Sequence, residues 1–283
     1  MIPWQHLVSS RAFFEELATD LSLGALAEPS AAAWYQGDLK REGFGHYAPG
    51  TWKTESLRLA VASLKEHGVP PVFVCVYAEM WQPAKSLAAH MTALTGEAYD
   101  VGADAWYFEV MPGAKGWSAH RGRSDAVLRQ PDGFPDLLDT WVPLHDVSVH
   151  DACMHLLPLH ADPHYPHAMS TPVEGLPPHL LPVRAGEALA WDANTLHAGG
   201  PCHPTMGRMR QSLGFTVGAR ARATSGRYHA ARIESFEERV DLLAHQLLTY
   251  GPHGNAPADW TAWAKGHLTM LALSQHRGLG RTL

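Results

Sequence analysis

The chain is poor in cysteine and has no long apolar run. Its 283 residues include three cysteines, too few for a disulfide framework or a cysteine-rich zinc site. The longest apolar stretch, around residues 69–76, is far shorter than the roughly 18 residues that a membrane-spanning helix needs. The first residues also lack the apolar core and cleavage signal of a secretion signal. We therefore expect a cytoplasmic protein without a membrane partner.

Positive charge is scarce as well. Lys and Arg total 22 against 28 Asp and Glu, which gives a formal net charge of -6 and argues against a nucleic-acid polymer or an anionic membrane as the main partner. Hydrophobic residues make up 46% of the chain, enough for an ordinary core. Histidine, in contrast, is abundant, with 19 residues. This density raises the question of a metal site. We expect the partner to be a small molecule.

The pattern of apolar residues changes once along the chain. No internal repeat or linker divides it, so we expect one domain over residues 1–283. Helical spacing of apolar residues in the first part predicts three helices, over 4–23, 54–67 and 78–95. A short apolar run between the last two predicts a buried strand over 71–76.

From residue 105 the sequence consists of short runs rich in β-branched and aromatic residues. They predict strands over 106–111, 140–144, 153–157, 180–183, 188–191 and 211–217. Short strands at this spacing are typical of a sandwich or jelly roll. Two more helices are predicted over 233–250 and 260–274, and the first opens with acidic residues that suit a helix N-terminus. The expected fold is mainly β, with a β core at about 105–217 and helical flanks at both ends.

Two histidines follow predicted strands within glycine-containing motifs. These motifs are Gly116-Trp117-Ser118-Ala119-His120-Arg121-Gly122 and His197-Ala198-Gly199-Gly200. The last core strand then opens with Arg210-Gln211-Ser212. Two histidines from separate strand ends, with an arginine that can bind a carboxylate, are what an iron site with a dicarboxylate co-substrate needs.

Together with Trp141-Val142-Pro143-Leu144, these motifs resemble the phytanoyl-CoA dioxygenase-like branch of the Fe(II)/2-oxoglutarate oxygenases. The resemblance covers roughly residues 105–217 and implies a double-stranded β-helix, the cupin-like form of the jelly roll. It also implies that His120 and His197 bind Fe(II), that Arg210 and Ser212 bind 2-oxoglutarate, and that the reaction uses O2.

Arg208 is a second candidate for the co-substrate arginine. We favour Arg210 because it lies two residues from Ser212, and side chains two apart on a strand share a face.

One position departs from the family pattern. The oxygenases carry an aspartate two residues after the first histidine, whereas this chain has Gly122. That change resembles the radical halogenases of the same superfamily, in which chloride takes the position of the missing carboxylate. An exogenous anion would restore charge balance at a metal dication, and a glycine leaves room for it. The resemblance therefore implies a halogenase that chlorinates an unactivated carbon.

Two alternatives stay open. The first is a hydroxylase in which Asp125, three residues beyond Gly122, supplies the carboxylate ligand from a bulged loop. The second is a non-catalytic jelly-roll protein that binds a ligand without a redox metal.

Basic residues beside the motifs indicate an anionic substrate. Arg121 and Arg123 flank the first motif, and a further basic group follows the last core strand: Arg220, Arg222, Arg227, His229 and Arg232. Such local charge suits a phosphate, and the resemblance extends to halogenases that act on deoxyadenosine monophosphate. The alternative interpretation is a solvated loop.

Four more histidines lie between the motifs, at His155, His160, His164 and His167. Because prolines interrupt their spacing, we expect a loop at the mouth of the barrel rather than a second metal site.

Overall fold

Helices flank the sheets in the chain, as predicted. The computed structural model describes residues 3–21, 27–122, 129–165, 178–221, 230–251 and 257–279. The helices are α1 (Trp4–Leu7), α2 (Arg11–Asp20), α3 (Thr54–Glu66), α4 (Gln82–Thr95), α5 (Phe236–Tyr250) and α6 (Ala258–Leu279). Within the described residues, every helix is too short or too polar to cross a membrane.

Nine strands are described, and all their pairings are antiparallel. They are β1 (Ala27–Asp38), β2 (Phe44–Trp52), β3 (Tyr99–Val110), β4 (Leu137–Pro143), β5 (Met154–Leu156), β6 (His179–Leu181), β7 (Ala188–Asp192), β8 (His197–Gly199) and β9 (Arg210–Ala219). A main sheet has the order β1-β2-β7-β4-β9-β3, and a minor sheet has the order β6-β5-β8.

A further segment extends the minor sheet. Residues 115–120 run antiparallel beside the end of β8 and join it through the bridges Lys115↔Pro201 and His120↔His197. Four chain segments (115–120, β8, β5 and β6) therefore face the four strands β3, β9, β4 and β7. This arrangement confirms the predicted jelly roll. The strands β1 and β2, which lie outside the predicted core of 105–217, extend the main sheet beyond β7.

Alternating side chains build two separate cores on the main sheet. Trp141, Leu189 and Trp191 pack toward the minor sheet, where they meet Leu156 and Leu181. We call this surface of the main sheet its inward face. The opposite face packs against the helices through residues such as Val142, Leu213 and Phe215. Strand alternation produces both faces from one sequence, and the inward face is where a ligand between the sheets would lie.

The segment Pro71–Val76 is a 3-10 helix, so the predicted strand at 71–76 is wrong. Its valines, Phe73 and Cys75 are all buried, but the backbone bonds locally, with Phe73 N donating to Pro70 O at 2.9 Å. The apolar run therefore reflects burial and not strand pairing. A second 3-10 turn, Ala78–Trp81, precedes α4 and delays the helix relative to the prediction.

Helix ends follow the capping residues in the sequence. The Ser10 side chain accepts a hydrogen bond from Phe13 N and starts α2, which divides the predicted helix 4–23 into two. At α5, Ser235 and Glu238 form a reciprocal capping box, so this helix starts three residues later than predicted.

Candidate functional site

His120 and His197 face each other across a β-bridge. His120 N donates to His197 O at 2.9 Å, and His197 N donates to His120 O at 3.0 Å. Side chains directly opposite each other on antiparallel segments point to the same side of the sheet. The two imidazole centroids are 4.3 Å apart. The structure thus brings together the two histidines that the sequence motifs singled out.

Two motif glycines allow this pairing. A Cβ at Gly116 would lie 2.6 Å from Gly199 Cα, and a Cβ at Gly199 would lie 2.9 Å from Gly116 Cα. Atoms this close overlap, so neither position accepts a side chain without moving the backbone. The glycines let the two segments approach, and this approach places the histidines opposite each other.

Each imidazole is oriented by a backbone carbonyl. His120 Nδ1 lies 2.8 Å from Ser118 O, and His197 Nδ1 lies 2.9 Å from Thr195 O. Because a carbonyl oxygen only accepts, Nδ1 carries the hydrogen in both rings, and Nε2 keeps its lone pair. Metal-binding histidines are held in this way.

The His197 ring is uncharged at neutral pH. It is buried, and burial together with the neighbouring His120 and Arg121 lowers its pKa to about 3, although the bond to Thr195 O acts in the opposite direction. A neutral imidazole is the form that binds metals.

Gly122 is exposed, but two oxygen atoms lie close to it. Its N–H donates to Ala193 O at 2.8 Å. A Cβ at this position would lie 2.7 Å from Asp139 Oδ2 and 2.9 Å from Ala193 O. A chloride ion at the site would therefore have to lie farther from Gly122 than a Cβ would.

The close contacts of Gly122 lead to a stability prediction. Gly122→Ala is expected to lower the free energy of unfolding by about 1–3 kcal/mol, because the added methyl group overlaps a backbone carbonyl that moves little. Urea unfolding at equilibrium measures this change. Gly207→Ala is the matched control, since a Cβ there has no heavy atom within 4 Å. Equal stability of the two variants would contradict the packing around Gly122.

A third protein ligand is not found among the described residues, in which no group of three His, Cys, Asp or Glu side chains is placed to hold a metal. Asp125, the ligand of the hydroxylase alternative, lies outside the described residues, as does Arg123. Asp139, which sequence reasoning missed, is on β4 opposite Trp191 and Thr216. Strand alternation with Trp141 was the signal that could have placed Asp139 on the inward face.

Arg210 is a buried cation on the inward face. It is 3% exposed, one guanidinium nitrogen donates to Ser212 Oγ, and the guanidinium carbon lies 5.4 Å from the Trp141 ring centroid. Its Nε has no hydrogen-bond partner among the described residues. Burial lowers the Arg210 pKa to about 10, so the side chain is still charged at neutral pH. A buried cation with a spare donor fits a carboxylate ligand.

Arg208 has a different environment. Its side chain is half-exposed and lies 3.3 Å from Asp151 Oδ2, and it also donates to Asp146 O at 2.7 Å. The structure therefore places Arg210, rather than Arg208, inside the barrel.

The Arg121 side chain already has partners within the protein. Its guanidinium is 2.7 Å from Asp162 Oδ2 in an ion pair whose side chains are almost fully buried, and it donates to Asn194 O at 2.7 Å. A substrate contact by Arg121 would require this pair to open.

The other basic residues and the extra histidines are dispersed. Arg220 pairs with Asp100, and Arg232 pairs with Glu238. His155 is half-buried on β5, and His160 and His164 are exposed. Four of the predicted residues lie outside the described residues: His167, Arg222, Arg227 and His229.

No protein-family model matches the sequence, and no curated protein is similar to it at a significant level. Among solved structures, the chain is similar to HygX from Streptomyces hygroscopicus with nickel and 2-oxoglutarate bound, with 14% identity, a TM-score of 0.49, and coverage of 64% of this chain and 85% of HygX. It is also similar to CytC3 with Fe(II) and alpha-ketoglutarate, with 15% identity, a TM-score of 0.42, and coverage of 65% and 78%.

A third similar structure is EvdMO1, with 16% identity, a TM-score of 0.47 and coverage of 64% of this chain. The matched region spans about half of EvdMO1, 48% of its length. At TM-scores below 0.5 these similarities do not by themselves assign an activity. The fold assignment rests on the strand order, and the site rests on the residues described above.

Proposed function

We propose that the chain is an Fe(II)- and 2-oxoglutarate-dependent oxidoreductase that acts on a small molecule. One observation carries the proposal. Two opposed histidines, each with Nε2 left for a metal, border the same inward face on which Arg210 is buried with a donor that has no partner among the described residues. Imidazoles suit Fe(II), and a guanidinium suits a dicarboxylate, so the residues fit both groups. When bound, iron would activate O2, which is the oxidant, and 2-oxoglutarate would supply two of the electrons that O2 accepts.

In this proposal the protein residues bind the iron and 2-oxoglutarate and orient them. The carbonyls of Ser118 and Thr195 hold the two imidazoles in the tautomer that binds a metal. Ser212 fixes the guanidinium of Arg210, which lies over the Trp141 ring. Contacts that fix side chains in this way reduce the cost of ordering them when a ligand binds.

The finer proposal is chlorination of an unactivated carbon. Its support is Gly122, which supplies no carboxylate at the position where the oxygenases have one, together with the lack of a third ligand among the described residues. The proposed substrate is a small anion, such as deoxyadenosine monophosphate. Since Arg121 is ion-paired within the protein, the anionic-substrate proposal depends on Arg123 and on the basic residues after β9.

Chloride dependence tests the finer proposal. Anaerobic protein with Fe(II) and 2-oxoglutarate is expected to give a charge-transfer absorption band that changes saturably as chloride is added, because chloride would enter the metal's ligand set. Perchlorate at equal ionic strength is the control and should leave the band unchanged.

The other outcomes separate the alternatives. A band that forms but ignores chloride would favour hydroxylation. Hydroxylation has one observation in its favour, the Asp139 carboxylate, whose Oδ2 lies 2.7 Å from the Cβ position of residue 122. Absence of any band with iron and 2-oxoglutarate would overturn the proposed function as a whole.

A further inference from the structure

Two buried indole N–H groups on the inward face have no acceptor in the part of the chain that the structure describes. Trp141 and Trp191 are 2% and 4% exposed, and their Nε1 atoms have no hydrogen-bond partner among the described residues. An indole nitrogen is a donor only, and a buried donor normally finds a partner, because leaving it unpaired costs the desolvation of the group. The two unpaired donors therefore indicate the positions of acceptor atoms on a ligand.

The two indoles lie at opposite ends of the path from the histidines to the arginine. The Trp191 ring centroid is 4.9 Å from that of His197, and Arg210 lies over Trp141. Trp191 pairs with Asp139 across β7 and β4, and Trp141 is two residues further along β4. Along the strand direction the backbone positions of the two tryptophans are therefore two residues, or about 6.8 Å, apart.

A third polar atom lies at the end of this path that is near the histidines. Thr216 Oγ1 is also buried without a partner among the described residues. Thr216 lies opposite Asp139 on β9, so Thr216 and Trp191 flank Asp139 on its two sides. The end of the inward face beside His197 thus holds two polar groups that find no partner among the residues described.

We propose that Trp191 Nε1 donates a hydrogen bond to the 2-oxo-carboxylate end of bound 2-oxoglutarate, while Trp141 Nε1 and Arg210 bind its distal carboxylate. This inference rests on the proposed function and deepens it. Trp191 then determines specificity, because it distinguishes 2-oxoglutarate from pentanoate, which has the same five-carbon chain and one carboxylate for Arg210 but no acceptor at its other end. Only a ligand with acceptors at both ends satisfies both indoles.

Indole N–H signals in 15N-labelled protein loaded with Zn²⁺ test this inference without turnover. The Trp191 signal is assigned by its contact with the His197 ring, and the Trp141 signal is assigned by its absence in Trp141→Phe. With 2-oxoglutarate both signals are expected to shift, whereas with pentanoate only the Trp141 signal should shift. Trp4 is the internal control, since its Nε1 already donates to Asp259 Oδ2 at 2.8 Å and should not respond to either ligand.

Binding to a Trp191→Phe variant gives a second measurement. Its Kd for 2-oxoglutarate is expected to rise about 3- to 10-fold, the effect of one lost hydrogen bond, with no change in the Kd for pentanoate. Trp4→Phe should change neither constant.

Three outcomes would overturn the inference. A Trp191 signal that stays fixed when 2-oxoglutarate binds and the Trp141 signal shifts would overturn it and leave the proposed function standing. A Trp191 signal that shifts equally with pentanoate would overturn the assignment of Trp191 to the 2-oxo-carboxylate end. If neither ligand binds to the Zn²⁺-loaded protein, both the inference and the proposed function fail. Because the spectra of the wild-type chain carry the test, it does not depend on the folding of Trp191→Phe.

Discussion

Replacing His197 with alanine is expected to weaken Fe(II) binding by more than about 100-fold, since even outer-shell changes at metal sites cost 10- to 100-fold. Removing one of two opposed imidazoles removes a ligand outright. Anaerobic Fe(II) titration, or the visible absorption of Co(II) as a substitute, measures the affinity. His160→Ala is the matched control, because His160 is exposed and its removal should leave the affinity unchanged.

A second variant keeps this prediction independent of folding. His197 is buried, so thermal unfolding must first establish that His197→Ala folds. His120→Ala offers the same test at a more exposed position and should lose affinity to a similar extent. Absence of iron binding in the parent protein would support the alternative of a non-catalytic binding protein. If both variants bind iron as the parent does, these histidines are not the ligands.

Replacing Arg210 with methionine is expected to raise the Kd of 2-oxoglutarate at least about 30-fold, equivalent to about 2 kcal/mol for a hydrogen bond to a charged group. Methionine keeps much of the side-chain volume and removes the charge and the donors. Isothermal titration of the Zn²⁺-loaded protein measures the affinity and separates it from turnover.

Arg208→Met is the control for this second change. Arg208 is half-exposed and pairs with Asp151, so its removal should change the Kd less than twofold. Similar losses in both variants would indicate a general effect of positive charge at this end of the barrel. Unchanged binding in Arg210→Met would place the co-substrate elsewhere.

The jelly roll and the histidine pair could be predicted because their signals are local. Strand alternation, the glycines before His120 and after His197, and the Arg210-x-Ser212 spacing each occupy a few neighbouring residues. The capping residues Ser10 and Ser235 likewise mark helix starts, although the apolar periodicity had extended both helices too far.

The features that the sequence did not predict depend on contacts between residues that are distant in the chain. β2 pairs with β7, and it contains Gly45, Pro49 and Gly50, residues that disfavour strands in a local interpretation. The run at 71–76 is apolar because it is buried, and burial alone does not distinguish a strand from a helical turn. The position of Asp139 beside Gly122 follows from strand register, which a single sequence does not specify.

The contact between Gly116 and Gly199 limits which residues relatives of this protein can carry. Any side chain at either position would push the two backbone segments apart and so separate the imidazoles, which lie a few residues away. A substitution at one glycine would not be compensated at the other, since the partner is already the smallest residue. Glycine at both positions should therefore be a fixed pair in every homologue that retains the two-histidine site, and this pair can be used to recognise such homologues when overall sequence identity is too low to align them.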